Sequence, residues 1–547
     1  MKHRFLIIVL FLLIIALQSL LIGANSAEFP DDEFLKIVTI FTNDIHGGID
    51  RSEASFINPD FPPMLGGGAV AGRYIMQKRQ EAKENGWGFL LIDAGDFYQG
   101  TPLGTLSEGE AVIEYMNTVQ YDVLTVGNHD FDNGWKNLKR LSEIAEFPFL
   151  AANLYRQSTG ELAEFVEPYI IKEYQGIKIG IIGATISSTP SMSFPEHVED
   201  LDFKTEIEAL EKYLPEVKEQ DVHTVIFLTH AWLAYDPEIG YRDMMKKLSE
   251  GGTITNSSAQ EIAHHVPGID VIFSGHLHKG FYEPWEDPVN HTLIFQNYAN
   301  GSNLGHVNFY IHRKTGTLAG YDFVNDAGAI FTLFEDDFLP DTNIAKQIDY
   351  WVQKTEAGFD EVIGSATAPI SRSGSGESPM GNLTVDAMRI SANADIAFSN
   401  YGGVRANISA GPITPRRIFS VMSFGNRIVA VKVRGSFLKA LIEDRVSGTS
   451  RGMLVSGAEI VIDRSKPDGS RLVSFKISGE MIEADRYYTL AISDYLAEGN
   501  SGYDRLTTIS PDQINYTGVL FRQAIIDYIK QNSPIIPHID GRWQEKD

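Results

Sequence analysis

The 547-residue chain contains no cysteine, which removes disulfides, thiolate metal sites and a cysteine nucleophile. Any metal must be held by nitrogen and oxygen ligands, and a lipid-modified N-terminal cysteine is excluded. Basic residues are scarce beside acidic ones, 46 against 72, and the formal net charge is −26. Such a chain does not bind long nucleic acid through a basic surface. A small anion can still be held where a metal or a few arginines supply local positive charge. Long apolar runs are absent after residue 22. The one such run, Phe5 to Ile22, follows Lys2 and Arg4 and precedes Gly23-Ala24-Asn25-Ser26-Ala27. That order is the order of an export signal. Residues 1–27 are therefore expected to be a signal peptide, and the mature chain to be soluble and periplasmic or secreted, with no other membrane segment. A run of about 18 residues is also long enough to stay as an uncleaved anchor.

Two or more domains fit this length. From about residue 35 to 310, short β-type runs alternate with helical stretches. The runs Leu35–Phe41, Phe89–Ile92, Val123–Val126, Ile177–Ile182, Val225–Leu228 and Val271–Phe273 are mostly apolar throughout rather than alternating. Strands buried on both faces of a helix-covered sheet have that pattern. Helical patterns such as Ala69–Glu84 and Asp202–Glu219 lie between them, which predicts a layered α/β domain over 36–335. Residues 341–357 predict an amphipathic helix begun by Asp341, within a connector at 336–359. A second α/β domain is expected over 360–540, with strands Ile428–Val433, Leu472–Ile477 and Tyr488–Ile492 and helices Asn382–Ala392, Ser436–Asp444 and Val519–Gln531. Gly66-Gly67-Gly68-Ala69-Val70-Ala71 fits G-x-G-x-x-A, but Phe61-Pro62-Pro63-Met64-Leu65 before it does not form the strand that a dinucleotide site needs. It is expected to be a loop leading into a helix.

Five short motifs sit at or just after predicted buried strands: Asp44-Ile45-His46, Gly95-Asp96, Gly127-Asn128-His129-Asp130, Thr229-His230 and Gly275-His276-Leu277-His278. Ligand sites of α/β sheets gather outside the carboxyl ends of strands, so five separate segments can converge on one rim. Any one of these motifs alone is an ordinary turn or loop; the ordered set is not. Apart from Asp130, the set offers two aspartates, one asparagine and five histidines. Oxygen and nitrogen donors together suit Zn, Mn, Co or Fe better than Ca²⁺. Eight candidates are too many for one ion, which takes about four protein ligands. They fit two divalent ions about 3.5–4 Å apart, an arrangement that activates water and clamps a phosphoryl group.

The ordered motifs resemble those of calcineurin-like metallophosphoesterases. Val126-Gly-Asn-His-Asp-Phe-Asp-Asn-Gly134 followed by Phe149-Leu-Ala-Ala-Asn153 resembles the 5′-nucleotidase family in particular, over about residues 36–540. The resemblance implies one metal held by Asp44, His46, Asp96 and His278 and another by Asp96, Asn128, His230 and His276, with Asp96 bridging. It implies that His129 stabilises charge on the phosphoryl oxygens, that Asp132 orients its imidazole, and that the nucleophile is metal-activated water. His278 departs from many family members, which carry Gln or Asn there, so metal preference is open.

The second domain carries further resemblances: Met380-Gly-Asn-Leu-Thr-Val-Asp-Ala-Met388, Asn400-Tyr-Gly-Gly-Val-Arg405, Ser423-Phe-Gly-Asn426 and Asp494-Tyr-Leu-Ala-Glu-Gly-Asn-Ser-Gly-Tyr503. In the family two aromatic rings sandwich the base. The matching residues are Phe424 and either Tyr495 or Tyr503. Arg405 is implied as a phosphate contact, Arg372 as a second one, and Asn400 as a hydrogen-bonding partner near sugar or phosphate. Ser501 stands near where relatives commonly have a ribose-binding aspartate. A shorter, neutral side chain loosens the grip on ribose. The expected activity is hydrolysis of nucleotide phosphate esters. A 2′,3′-cyclic nucleotide or a UDP-sugar remains an alternative substrate on the same site. The sulfate thiohydrolases share the two-domain plan, and a non-catalytic extracytoplasmic nucleotide-binding protein is the alternative of another class. With chemistry and substrate contacts on different domains, closure about the 341–357 helix is expected during turnover.

Overall fold

The computed structural model describes residues 29–546, apart from 55–56, 59–60, 255–257, 375, 449, 451 and 511–512. The expected signal segment lies outside the described residues. Among the described residues, no helix is long and apolar enough to cross a membrane.

Strands Gly88–Asp93 and Thr224–Thr229 are buried at every residue, as their unbroken apolar sequences require. Each lies inside its own sheet. The first sheet runs Leu318–Phe323, Asn303–His312, Phe34–Thr42, Gly88–Asp93, Val123–Thr125 and Phe149–Leu150, with Ile330–Thr332 also pairing to Asn303–His312. The second runs Trp285–Glu286, Leu293–Gln296, Val271–Ser274, Thr224–Thr229, Ile177–Ala184 and Tyr169–Tyr174. The central strands of both are parallel.

The two sheets pack face to face, and strand periodicity shows it. Leu90 and Ile92 share a core with Ile226, Leu228, Phe273 and Phe309. Their neighbours Phe89 and Leu91 turn outward to the helices that cover the first sheet. Val225 and Phe227 do the same on the second sheet. The result is four layers, helices–sheet–sheet–helices.

The connector helix is Thr342–Thr355, capped by Asp341, whose carboxylate accepts from the backbone N–H groups of Asn343 (2.8 Å) and Ile344 (3.0 Å). It does not stand free between two bodies. Ile344, Ile348 and Trp351 are buried in the first half's core, and Trp351 Nε1 donates to Glu114 at 2.7 Å. The second half begins beyond it, where Arg416 pairs with Glu356.

In the second half a five-stranded sheet runs Leu454–Ser456, Ile396–Ser399, Tyr487–Ser493, Arg427–Arg434 and Ile514–Leu520. Alternation again sorts its residues. Ala397, Ile428 and Ala491 pack under helices Pro379–Ser391 and Phe521–Asn532, whereas Phe398, Val429 and Ile492 pack with helix Gly435–Arg445 and a second, four-stranded sheet.

Two expected helices are shorter than their apolar patterns. Leu201–Phe203 pairs as a strand with Leu154–Arg156, and the helix starts at Glu206 behind a capping box made by Thr205 and Glu208. Residues 514–520 add an edge strand to Arg427–Arg434, so the last long helix is Phe521–Asn532. In both places, pairing to an available strand edge overrides local helical preference. The Gly66–Gly68 segment leads into helix Gly67–Asn85, as expected, but the residues before it correct the sequence reading: Met64–Leu65 does form a strand, two residues long, paired antiparallel with Ser52–Glu53 and outside the central parallel sheets, so it is not the buried parallel strand of a dinucleotide site. Gly67 takes φ +56°, and a Cβ on Gly68 would press on Tyr115 and Ile49, so these glycines serve a turn and close packing.

Candidate active site

The parallel strands of both sheets end at one rim. Asp44 and His46 follow Phe34–Thr42, Asp96 follows Gly88–Asp93, Asn128 and His129 follow Val123–Thr125, His230 follows Thr224–Thr229, and His276 and His278 follow Val271–Ser274. The turns that deliver them are tight. Asp44, His46, Asp96, His276 and His278 all take positive φ, between 49° and 75°. That region costs non-glycine residues of order 1–3 kcal/mol each, and such strain persists where surrounding structure enforces it.

Two groups of side chains result: Asp44, His46 and His278, and Asp96, His230 and His276. In each, one ligand atom per residue lies within 4.8 Å of the others. The groups adjoin. His230 Nε2 is 3.0 Å from Asp96 Oδ2 and 3.8 Å from Asp44 Oδ1, and His46 Nε2 is 3.8 Å from Asp96 Oδ2. Asn128 Oδ1 lies 2.9 Å from His276 Nδ1. All seven sequence-selected metal candidates are thus brought together.

The tautomers are fixed from behind. His46 Nδ1 donates to the Gln99 carbonyl at 2.6 Å and His230 Nδ1 to the Ala94 carbonyl at 2.7 Å, which turns each Nε2 lone pair into the centre. Asp44 is held by the Asn43 amide (2.7 Å) and the His276 backbone N–H (2.9 Å). Asp130 accepts from three backbone N–H groups, those of Asp96 (3.0 Å), Phe97 (3.0 Å) and Gly127 (2.8 Å), and so ties two of the ligand turns together.

The donor set fits divalent cations. Asp96 Oδ2 and His230 Nε2 are buried and face each other at 3.0 Å, with no other hydrogen-bond partner for either, although buried carboxylate oxygens normally accept more than one contact. Burial pushes the imidazoles of His46 and His276 down, to about 3 and about 4, which keeps them in the neutral, ligating form. Burial would also lower His230, but Asp96 and Asp44 more than offset it and raise that histidine to about 10. A cation would take the place of that proton. Asp44 and Asp96 stay ionised: the neighbouring histidines, His278 and His230 foremost, outweigh a burial cost that would raise them.

His129 stands beside this centre. Its backbone N–H donates to Asp96 Oδ1 at 2.8 Å, and its Nδ1 pairs with Asp132 Oδ2 at 2.9 Å. Burial opposes its charge, but Asp132 and Asp96 outweigh burial and raise it to about 9. The second half meets it there. The Phe424 ring lies 5.3 Å from the His129 ring, and the Arg405 guanidinium lies 5.6 Å from the Phe424 ring centre. Burial and the neighbouring Arg372 both lower the Arg405 pKa, whereas Asp96 and Asp44 raise it.

Residues 37–280 match the calcineurin-like phosphoesterase model, and residues 362–508 match the 5′-nucleotidase C-terminal domain. The chain is a calcineurin-like phosphoesterase with a 5′-nucleotidase C-terminal domain. Its class of chemistry is metal-dependent hydrolysis of phosphoric esters, and its two Asp/His groups are compatible with a binuclear metal site. Protein UshA of Yersinia enterocolitica is 26% identical, over 93% of this chain and 94% of that protein. The endonuclease YhcR of Bacillus subtilis is 27% identical over 95% of this chain, which spans only 42% of that longer protein. The crystal structure of a 5′-nucleotidase precursor from Thermus thermophilus shares the fold, with a TM-score of 0.78, 24% identity and coverage of 93% of this chain and 99% of that one.

The other sequence-selected residues of this nucleotidase-type domain separate. Asn400 and Ser501 approach each other at 3.5 Å, and Ser501 Oγ lies 3.4 Å from the Tyr495 hydroxyl. Tyr495 is half-buried, with Phe194 of the first half edge-on at 6.3 Å. Arg372 is exposed and donates to the carbonyls of Val404 and Arg405 at 3.1 and 3.0 Å, so it braces the Arg405 loop. Tyr503 is a correction. Its ring is fully buried in the second half's core, with Arg445 stacked on it at 4.6 Å, and offers no face to a base. Sequence reasoning missed the bracing by Asp130, Asn43 and the Gln99 carbonyl, and the arrival of Phe194 at Tyr495. Asp130 stood in the Gly-Asn-His-Asp motif; the others carry no local signal.

Proposed function

We propose that this phosphoesterase is exported and hydrolyses phosphate esters of nucleotides, as a 5′-nucleotidase does. In this reading residues 36–335 are the phosphoesterase domain, 336–359 the connector and 360–540 the substrate-binding domain. Asp44, His46, Asp96 and His278 hold one divalent cation, and Asp96, Asn128, His230 and His276 the other. Bound there, Zn, Mn, Co or Fe would supply Lewis acidity, lowering the pKa of an attacking water and offsetting charge on the phosphoryl oxygens.

The protein's own groups do the rest. His129, charged and aimed by Asp132, donates to a phosphoryl oxygen where negative charge develops. Arg405 presents a planar fork to phosphate oxygens. Phe424 and Tyr495 stack on the base, and Asn400 and Ser501 hydrogen-bond the sugar. Halves that separate admit substrate, and halves that close exclude water from the reacting phosphoryl group. The observation that carries this reading is the contact of Phe424 with His129, which sets an aromatic platform beside the metal centre. Ser501, short, neutral and exposed, favours one second reading on the same site, a cyclic nucleotide or UDP-sugar in place of a nucleoside monophosphate.

Phosphate release by metal-stripped protein given Mn²⁺, Zn²⁺ or Co²⁺ tests the proposal, using AMP, ATP, 2′,3′-cyclic AMP, UDP-glucose and p-nitrophenyl phosphate, with a coupled phosphatase for diesters. The expected result is metal-dependent hydrolysis of nucleotides well above the nitrophenyl ester. Hydrolysis of the nitrophenyl ester alone would discard the base pocket. No hydrolysis with any metal, together with nucleotide binding, would support a non-catalytic binding protein.

A further inference from the structure

Gln99 comes three residues after Asp96 and is 3% exposed. Its backbone and its side chain face different halves of the molecule. The carbonyl accepts from His46 Nδ1 at 2.6 Å, whereas the side-chain amide donates to the Ser423 carbonyl of the second half at 3.3 Å. That same carbonyl accepts from Arg522 Nη1 at 3.2 Å. Donors from both halves therefore converge on the peptide leading into Phe424, whose ring rests against His129.

We infer that Gln99 is the latch that holds the second half closed over the metal centre, a positioning residue acting through Ser423 and Phe424 rather than on the reacting atoms. The inference rests on the closure proposed above and adds the contact that holds it. The Gln99–Ser423 bond is buried, unlike the Arg417–Glu53 pair that also joins the two halves, at 3.4 Å, whose side chains are 36% and 51% exposed and screened by water. It is also a neutral bond that water replaces when the halves part. Such a bond shifts an equilibrium only about two- to tenfold, which suits a latch that must release product on every turnover. The His46 contact comes from the backbone, so substituting the side chain leaves that metal-candidate histidine held.

The test uses Gln99→Met, which keeps length and removes the donor, and Gln99→Glu, which sets an acceptor against the carbonyl. Each is made in the natural chain and in Phe424→Ala. The chain has no cysteine, so fluorophores on Glu173→Cys and Glu480→Cys report the separation of the halves without background labelling. Gln99→Met should lower kcat/KM on AMP about five- to tenfold, Gln99→Glu further, and either less than twofold when Phe424 is already alanine. Metal content should stay unchanged, and the AMP-bound population should shift to wider separation. A full effect in the Phe424→Ala background, or an unaltered separation in both variants, would overturn the latch. Should the natural chain hydrolyse no nucleotide, the proposed function fails, while the label separation still decides the latch.

Discussion

The first half sets its functional groups by backbone; the second sets them by side-chain contacts. Five of the six clustered Asp and His residues occupy the left-handed region, and their atoms are gripped from behind by carbonyls, amides and Asp130. Of the substrate-side candidates only Ser501 takes positive φ. Arg405 and Phe424 sit on ordinary backbone and are aimed by contacts such as Arg372 and Arg522. Cations need donors fixed to within tenths of an ångström before anything binds. In the proposed reading, a substrate that enters between the two halves is gripped by groups that move with closure, so a rigid chemical centre faces an adjustable recognition surface.

The sharpest break in that comparison is Asp96→Asn. The change leaves the turn in place and, in the proposed reading in which Asp96 serves both cations, weakens both sites. Hydrolysis of every substrate should fall by more than about a hundredfold, since even outer-shell partners of metal ligands are worth about 10- to 100-fold. Plasma emission should find less metal in the purified variant. Phe424→Ala tests the other half. Nucleotide kcat/KM should fall about 5- to 150-fold, from stacking worth roughly 1–3 kcal/mol per base. Glycerol 3-phosphate, which has no ring, should change little. Equal losses on both substrates would erase the distinction between centre and recognition surface.

The first of these regions was largely legible in the sequence. Unbroken apolar runs mark doubly covered strands, and each ends in a short motif rich in Asp, Asn or His, so both the layered fold and the rim followed from one pattern. Pairing partners did not. Strand Asn303–His312 joins Phe34–Thr42 across more than 260 residues of sequence, and no local periodicity encodes that choice. The helix start at Glu206 was signalled by Thr205-x-x-Glu208, but the apolar pattern running through Leu201 and Phe203 hid it. Tyr503 shows the limit on the recognition side. A tyrosine in a motif has the same letter whether its ring faces a cleft or, as here, fills a core beneath Arg445.

Two smaller effects sharpen the electrostatic side. In the metal-free protein, NMR should show His129 titrating near 9, since Asp132 and Asp96 outweigh burial. A raised histidine pKa stabilises the fold fully below the ordinary value of about 6.5, and that stability is lost as pH rises through 9. Asp132→Asn should bring the titration down toward the ordinary range and narrow this window. Glu206, fully buried with one oxygen unpartnered, is pushed up by burial to about 7. A raised carboxylate pKa has the opposite consequence for a charged group: the penalty is absent below about pH 4.5 and complete above pH 7. Glu206→Gln should therefore melt higher than the natural chain at pH 8, by an amount corresponding to about 1–3 kcal/mol, and show no such gain at pH 4.5.

Crystals grown with Mn²⁺ and measured at the manganese absorption edge would locate the cations themselves. Two anomalous peaks are expected about 3.5–4 Å apart, one among Asp44, His46 and His278, the other among Asn128, His230 and His276, with Asp96 between them. A single peak, or none at saturating metal, would contradict a two-cation centre.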